Sequence, residues 1–413
     1  MNRREAIARV GAALAAGAAF AVPGIVRADE EEKPRMKRPR LAAVVTEYRE
    51  NSHADVIVTK LLEGCKTPDF TYQPRVEMAS LYLDQPATSA LGKEIAARHG
   101  VPIYPTIAEA VTLGGADLMV DGVVLIGEHG HYPYNELGQH LYPRRRFFEE
   151  TVAVIRRAGR PIPLFNDKHL AYSWADAKWM YDTARELKLP FMAGSSVPVA
   201  ERRPDLRPAP GTAFTEAVAV GYGATEAYGF HALEGLQCLL EARRDGETGV
   251  KRVRCLTGEA VWQAAEAEEW SWSLLQAALA CSEKPETAAA SRAEIRARSL
   301  EPEAFLIEYA DGVKGAVLLL RGLVEEFLFA GRVEDRARPM ATLFRLQDGK
   351  PFSHFARLCA AMEPMFLGQS PTIPIERTLL TTGILDRAMQ SRQRNGTVLE
   401  TPELAIRYGV AEK

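Results

Sequence analysis

The chain has 413 residues, of which 47% are hydrophobic and 25% charged, a composition typical of soluble globular proteins. This length predicts two or three domains with an ample hydrophobic core. The net charge is −3, and Arg144–Arg146 is too short to be a basic block, so the sequence argues against a nucleic-acid-binding protein.

The first 28 residues have the pattern of an export signal. Asn2–Glu5 contains twin arginines, Val10–Val26 is apolar and rich in Ala and Gly, and Val26–Ala28 resembles a cleavage site. We predict a twin-arginine signal peptide at residues 1–28, a charged linker at 29–40, and export to the periplasm or beyond with no membrane span after signal removal. A spanning helix is the weaker interpretation because the apolar segment is at the lower length limit.

Residues 41–195 alternate apolar strands with helices, which predicts a doubly wound α/β domain. The first strand is a continuous apolar run, as in strands buried on both faces of a parallel sheet. The predicted strands are Leu41–Thr46, Val76–Leu83, Val101–Tyr104, Val120–Ile126, Pro163–Phe165 and Leu189–Ala193. The predicted helices include one that stops at Gly64, Ser89–His99, Ile107–Leu113, Phe147–Ala158 and one capped by Ser173.

A polar loop follows the fifth of these strands. Asn166–His169 lies between the strand and the helix capped by Ser173. Ionisable residues at the carboxyl end of a parallel strand are where open α/β sheets place their sites. An ordinary solvated loop is the alternative interpretation.

Residues 196–405 have a different pattern, which predicts an α+β domain with a mostly antiparallel sheet. Asp311-Gly312 between two apolar runs is the strongest hairpin signal in the chain. The main predicted elements are a helix at Thr225–Leu240, a strand at Lys251–Thr257, one Trp-rich helix at Ala260–Leu279, the hairpin strands Phe305–Tyr309 and Gly315–Leu320, and a C-terminal helix near 374–391.

The five cysteines are scattered and show no CxxC spacing, so they predict neither a zinc site nor a disulfide framework. They are Cys65, Cys238, Cys255, Cys281 and Cys359. We favour buried free thiols. A disulfide between Cys238 and Cys255 in an oxidising compartment is the alternative.

Three segments resemble the glucose-fructose oxidoreductase / inositol dehydrogenase (Gfo/Idh/MocA) family. The segment NDKHLAYSWADAKWMYDTARELKLPFMAG resembles the family's E-K-P-L-A helix segment, with Lys168 at the motif lysine and His169 in place of proline. AYGFHALEGLQCLLE resembles its D-x-G-x-H segment, with His231 at the motif histidine, and the C-terminal helix also matches. The resemblance covers residues 40–405 and implies an N-terminal Rossmann domain, a C-terminal domain with an open sheet, and association into a homo-oligomer.

The chain departs from this family at the glycine-rich phosphate loop. Where G-x-G-x-x-G is expected after the first strand, the sequence is TEYRENSH, so bulky Tyr48 and acidic Glu47 stand where backbone should approach a pyrophosphate. Asp84, after the second strand, is at the position of the acidic residue that binds the adenosine ribose. The motif aspartate upstream of His231 is Ala227.

The resemblance implies an exported NAD- or NADP-dependent oxidoreductase acting on a sugar or cyclitol. Lys168 and His231 would be catalytic, because a histidine has a pKa suited to a general base and a nearby lysine stabilises an alkoxide. The positions implied for the cofactor are Glu47, Tyr48, His53, Asp84, Glu128 and His129. The residues assigned to a sugar or polyol substrate are His131, Tyr134, Arg145 and Tyr228.

Two alternatives stay open. His129 and His131, with Glu128, His140 or Asp167, could bind a divalent metal, although their spacing matches no metal motif and we predict a polar substrate loop instead. The missing glycines also allow a protein that has this fold but has lost dinucleotide binding, and that acts as a carbohydrate-binding protein or a metal-assisted enzyme.

Overall fold

The computed structural model describes residues 38–347 and 349–409. The predicted signal peptide of residues 1–28 and most of the linker of residues 29–40 lie outside this range. No helix within it is long and apolar enough to cross a membrane.

The described residues form sixteen strands and twelve α-helices. The strands are β1 Arg40–Val45, β2 Cys65–Lys66, β3 Thr71–Tyr72, β4 Glu77–Leu83, β5 Ile103–Tyr104, β6 Gly122–Ile126, β7 Leu164–Asp167, β8 Phe191–Gly194, β9 Glu201–Arg203, β10 Phe214–Gly221, β11 Val250–Thr257, β12 Leu300–Tyr309, β13 Lys314–Arg321, β14 Phe327–Val333, β15 Met340–Arg345 and β16 Leu399–Glu400. The helices are α1 His53–Glu63, α2 Ala90–His99, α3 Ile107–Thr112, α4 Arg144–Ala158, α5 Trp174–Glu186, α6 Thr225–Leu240, α7 Glu259–Glu266, α8 Trp272–Leu279, α9 Pro285–Ala288, α10 Arg292–Arg298, α11 Ser353–Phe366 and α12 Ile375–Gln393.

The first sheet has the order β5-β4-β1-β6-β7-β8, and all its strands are parallel. This is the strand order of the dinucleotide-binding Rossmann domains, in which the order reverses between the first and fourth strands. Here the reversal lies between β1 and β6, both buried on their two faces, as their continuous apolar sequences predict. The predicted α/β N-terminal fold is confirmed.

The second sheet has the order β16-β11-β12-β13-β10-β14-β15-β9. Its strands are antiparallel neighbours except β10 and β13, which pair in parallel. β12 and β13 form the hairpin predicted at Asp311-Gly312, closed by the Tyr309 amide, which donates to the Val313 carbonyl at 3.0 Å. The predicted α+β second half with a mostly antiparallel sheet is confirmed.

Helices cover both faces of the second sheet. Along β10, Ala217 and Ala219 contribute to the core formed with α6 and α12, whereas Val218 and Val220 contribute to the core formed with α7 and α8. This alternation follows from the two-residue period of a strand. Neither face of this sheet is therefore left open in the described part of the chain.

The prediction of one Trp-rich helix at Ala260–Leu279 is wrong, because the segment forms α7 and α8 separately. Glu268 adopts a left-handed conformation with φ of 58°, which ends the first helix. Ser271 then starts the second helix, and its side chain accepts the amide hydrogen of Leu274. Buried Trp270 lies in this break and contacts the rings of Trp262 on α7 and Trp272 on α8.

Helix α12 lies between the two sheets. It packs against α5 and β8 of the first half and against α6 and β11 of the second. The Thr378 hydroxyl donates to the Ala193 carbonyl at 3.0 Å, and the Thr382 hydroxyl accepts the Leu170 amide hydrogen at 3.1 Å. The loop that carries Lys168 is thus fixed against the second half of the chain.

Candidate active site

The candidate site lies at the carboxyl edge of the parallel sheet, where β1, β6 and β7 end side by side. Glu47 follows β1, Glu128 and His129 follow β6, and Lys168 follows Asp167, the last residue of β7. We call this region, with His53 at the start of α1 and His231 on α6, the crevice. It is the position at which open α/β sheets bind their ligands.

Lys168 is buried in the crevice, with a relative exposure of 3%. Its ammonium lies 3.5 Å from Glu128 Oε1 and donates to the Ala227 carbonyl at 3.4 Å. The backbone has a φ of 68°, uncommon for a residue with a side chain, and its amide is held by the Gly194 carbonyl. Such conformations cluster at functional sites, where the surrounding structure enforces them.

Glu128 connects Lys168 to a second buried cation. Its Oε2 accepts a hydrogen bond from the Arg144 guanidinium at 2.5 Å. Burial by itself would raise the pKa of Glu128, but the positive charges of Lys168 and Arg144 outweigh it and hold this pKa well below its usual range. Glu128 is therefore an ionised carboxylate between two cations.

His231 lies on the α6 side of the crevice. Its Nδ1 is 2.6 Å from the Ser195 hydroxyl, which also accepts the Val197 amide hydrogen at 3.0 Å. Burial lowers the pKa of His231 well below its usual range, and Lys168 and His53 lower it further. The imidazole is therefore neutral.

His53 and His129 face each other across the crevice, with ring centroids 5.2 Å apart. His53 Nδ1 lies 2.6 Å from the Asp167 carboxylate. Burial lowers the pKa of His129 to about 3, and the nearby His53 contributes. The Nε2 atom of His129 is buried without a hydrogen-bond partner in the described part of the chain.

A cavity of about 470 Å³ opens beside the crevice, between the two halves of the chain. Its wall includes Glu128 and Ala227, both of which contact the Lys168 ammonium. The other polar and aromatic residues of the wall are Tyr134, His140, Tyr142, Arg144, His169, Thr225, Glu226, Glu301, Arg321 and Arg392.

Sequence reasoning missed a chain of buried groups in the cavity wall. Arg144 donates to His169 Nε2 at 3.0 Å, so this imidazole is a neutral acceptor at Nε2, and burial with Arg144 lowers its pKa. Glu226 lies 3.6 Å from the same ring and accepts the His140 amide hydrogen at 2.7 Å. The family motif has its aspartate at the position of Ala227. The carboxylate of the adjacent Glu226 was therefore the sequence signal from which these buried groups could have been predicted.

Of the four predicted substrate residues, one lies in the described wall of the cavity and three lie outside it. Tyr134 lines the cavity and stacks on His140. Arg145 instead lies over the Trp179 ring and pairs with Asp176. The arginine that lines the cavity at this point is the adjacent Arg144. His131 and Tyr228 are absent from the described cavity wall. The His131 amide donates to Gln85, and Tyr228 packs against Tyr222 and Phe327.

The loop after β1 does not fit a pyrophosphate bound as in glycine-rich Rossmann domains. Tyr48 is fully buried, and its side chain fills the space over Gly92 of α2. Glu47 pairs with Arg49 at 2.9 Å. At the start of α1, the Asp55 side chain accepts the Asn51 amide hydrogen and adds negative charge where a phosphate would bind.

At the position where the adenosine ribose is expected, the chain's own side chains bind one another. Asp84 accepts hydrogen bonds from the hydroxyls of Tyr82 and Tyr132, each at 2.6 Å, and pairs with Arg146. Burial would raise the pKa of Asp84, and these three partners lower it instead. The carboxylate that would bind a ribose hydroxyl is thus committed to internal partners.

The described residues contain no group of three or more His, Cys, Asp or Glu side chains arranged to hold a metal ion. All five cysteines are free, so no Cys238–Cys255 disulfide is present.

No family model matches the chain, and neither does any curated protein sequence. Solved structures do match its fold. GenD2 from gentamicin A biosynthesis, in complex with NAD, is 14% identical, over 89% of this chain and 97% of GenD2, with a TM-score of 0.53. Myo-inositol 2-dehydrogenase from Lactobacillus plantarum is 9% identical, over 88% and 99%, with a TM-score of 0.54.

An oxidoreductase from Agrobacterium radiobacter, in complex with NAD+, L-tartaric acid and magnesium, is 13% identical over 88% of this chain and 98% of its own, with a TM-score of 0.55. At these identities the matches establish a shared fold. The fold expected from the Gfo/Idh/MocA resemblance is confirmed.

Proposed function

We propose that this protein is a Gfo/Idh/MocA-type oxidoreductase that acts on a sugar or cyclitol, with Lys168 and His231 at the reacting carbon. The observation that carries the proposal is the buried Lys168 ammonium. It lies at the carboxyl edge of a Rossmann-type sheet and contacts two residues of the cavity wall. Ionisable groups with perturbed pKa values beside a cavity are a recognised signature of catalytic sites, and Glu128, the partner of Lys168 in the cavity wall, is such a group.

The cavity supports a neutral polyhydroxylated substrate. Its volume of about 470 Å³ is within the range of small-molecule sites. Three glutamates and three arginines in the wall offer both hydrogen-bond acceptors and donors without a large excess of one charge. The stacked rings of Tyr134 and His140 offer a flat apolar surface at the rim, of the kind that suits a sugar ring.

Lys168 and His231 divide the chemistry of hydroxyl oxidation between them. In the tautomer in which Nδ1 donates to Ser195, His231 presents its Nε2 lone pair and accepts the hydroxyl proton. The Lys168 ammonium stabilises the negative charge that develops on the substrate oxygen. Glu128 and Ala227 hold that ammonium in place.

NAD or NADP is the proposed hydride acceptor. The fold and the two neighbours that contain NAD support it. The residues around Asp84 and Tyr48 do not fit a dinucleotide bound in the usual manner, so no step above is assigned to one. The same observation favours a second candidate function, a polyol-binding protein or a redox-neutral enzyme that no longer uses a dinucleotide.

The deciding experiment is to purify the protein, denature it, and analyse the supernatant for nicotinamide dinucleotides by absorbance and mass. Protein that releases stoichiometric NAD(P), or that binds added NAD(P) in calorimetry and oxidises a polyol such as myo-inositol or scyllo-inositol, supports the oxidoreductase. Protein that is empty and binds neither dinucleotide overturns it in favour of the second candidate.

We also propose export by the twin-arginine route, which rests on the sequence of residues 1–28. Replacing Arg3 and Arg4 together with lysine would retain the protein in the cytoplasmic fraction, as judged by cell fractionation. A homo-oligomer stays a proposal, and it would have to use a surface other than the face of the second sheet covered by α7 and α8.

A further inference from the structure

We propose that His53, held by Asp167, is a second general acid–base residue of the crevice, on a different wall from Lys168 and His231. It lies at the start of α1, where a glycine-rich Rossmann domain binds pyrophosphate. The inference rests on the proposed function in taking the crevice as catalytic, but it does not require dinucleotide binding.

Asp167 fixes the imidazole of His53. Asp167 is the last residue of β7 and is 1% exposed, and its carboxylate lies 2.6 Å from His53 Nδ1. A carboxylate oxygen accepts hydrogen bonds, so in this pair Nδ1 carries the proton and Nε2 has a lone pair. A carboxylate that orients a histidine and stabilises its protonated form is the arrangement by which enzymes activate a histidine base.

The ring of His53 is held but not sealed from solvent. His129 lies against one part of it, and Phe355 of α11 meets it edge-on at 5.0 Å. The side chain is 12% exposed. Within the described residues, Nε2 has no hydrogen bond, and it is not among the buried atoms that lack a partner. Nε2 is thus the free end of an oriented imidazole.

Ionisable groups near His53 come from four elements. They are Asp167 at the end of β7, which Lys168 follows, Glu128 and His129 after β6, His231 on α6 and His354 on α11. Two of these are acids, one is a lysine, and the three histidines all have pKa values lowered by burial. His53 thus differs from these three histidines, because a carboxylate is hydrogen-bonded directly to its ring.

His53 and Lys168 together can perform a redox-neutral step on the keto form of a polyol. His53 Nε2 takes a proton from the carbon next to the carbonyl, and the C–H electron pair forms a C=C bond. The carbonyl π electrons move to oxygen, where the Lys168 ammonium stabilises the enolate. Reversal returns a solvent-derived proton from His53 to carbon, so atoms and electrons balance without an oxidant.

Two measurements test this inference, and neither uses NAD(P). The first is nitrogen-15 NMR of the histidines, with His53 assigned by its loss in His53→Gln. We expect the neutral His53 ring to carry its proton on Nδ1 and its lone pair on Nε2, and we expect this tautomer preference to weaken in Asp167→Asn, whose amide can also donate. A neutral His53 ring that carries its proton on Nε2 would overturn the proposal.

The second measurement is deuterium uptake from D2O into 2-keto-myo-inositol, followed by proton NMR. We expect wild-type protein to catalyse exchange next to the carbonyl and His53→Gln to slow it by about 100-fold or more. His99→Gln is the matched control, because His99 lies on α2 and pairs with Glu63 outside the crevice. Wild-type protein without exchange, or His53→Gln with wild-type exchange, overturns the proposal. Neither result bears on whether NAD(P) binds.

Discussion

At the scale of single residues, the site depends on a carboxylate placed between two buried cations. Glu128 contacts Lys168 on one side and Arg144 on the other, and its pKa is held well below the usual range. A buried ion pair contributes little net stability, but removing one partner leaves the others uncompensated. Glu128 is therefore the residue at which the electrostatics of the site are tested most directly.

We expect Glu128→Gln to lower the free energy of unfolding at neutral pH by about 3–5 kcal/mol, because Lys168 and Arg144 lose their buried partner. A depressed folded-state pKa stabilises the protein above the unfolded-state pKa of about 4.3, and this contribution is lost as pH falls further. The difference between wild type and variant should therefore shrink in acid. Urea unfolding over a pH series measures it.

The matched control is Glu334→Gln. Glu334 pairs with Arg244, but both side chains are about half exposed or more. Its removal should cost less than about 1 kcal/mol. Equal effects of the two substitutions would mean that Glu128 is not the electrostatic centre described above.

Lys168 is the residue whose charge the proposed chemistry uses. We expect Lys168→Met to lower turnover of the polyol identified in the screen by about 10²–10⁴-fold, because the developing oxyanion loses its cation. Lys178→Met, on the exposed face of α5, removes an equal charge from a surface pair with Asp182 and should leave turnover unchanged. Steady-state kinetics compares them, and retained turnover in Lys168→Met would exclude the assigned role.

At the scale of elements, α7 and α8 determine what the second sheet can contact. Their apolar side chains form a core with outward residues of β10, β13 and β14. Without them, that sheet face would present a continuous apolar surface, and such surfaces promote association. The break between the two helices therefore matters because it allows both of them to lie on this face of the sheet.

We expect Leu274→Ala in α8 to cost about 2–5 kcal/mol of stability, because Leu274 is fully buried against the sheet. The weakened cover should also increase self-association, measured by light scattering alongside thermal unfolding. Gln276→Ala on the exposed face of the same helix is the control and should change neither quantity. A Leu274→Ala protein as stable as this control would show that α8 is not part of the core.

At the scale of the whole molecule, α12 joins the two sheets into one structure. Gly383, in the middle of this helix, lies where any side chain would meet Leu404 and the Trp174 ring, with the ring 2.9 Å from the added carbon. Such close approach brings α5 against α12 and so helps fix the Lys168 loop relative to α6, which carries His231. The site exists only because the two halves are held in this relation.

We expect Gly383→Ala to destabilise the protein by about 1–3 kcal/mol, because overpacking against a rigid indole outweighs the better helix propensity of alanine. Thermal unfolding measures this effect. Gln393→Ala, at the exposed end of the same helix, should have little effect. A more stable Gly383→Ala protein would mean that α12 can move away from α5 without cost.

The sequence by itself determined the architecture of both halves and the neighbourhood of the proposed site. Continuous apolar runs such as Leu41–Thr46 report burial on two faces, and Asp311-Gly312 reports a tight turn, because both signals are local. Lys168 and His231 were assigned through the family resemblance, and the fold brings both to the crevice. The split of residues 260–279 was missed because helical periodicity continues across a capped break.

Only the tertiary structure decided which partners the ionisable groups take. His53 and Asp167 are 114 residues apart in sequence, and Asp84 and Tyr132 are 48 apart. Periodicity and composition report whether a side chain is buried, but a hydrogen-bond partner depends on how distant segments pack. For that reason the sequence could offer Asp84 to a ribose and His53 to a cofactor, whereas the folded chain commits Asp84 to its own side chains and holds His53 through Nδ1, with Nε2 left free.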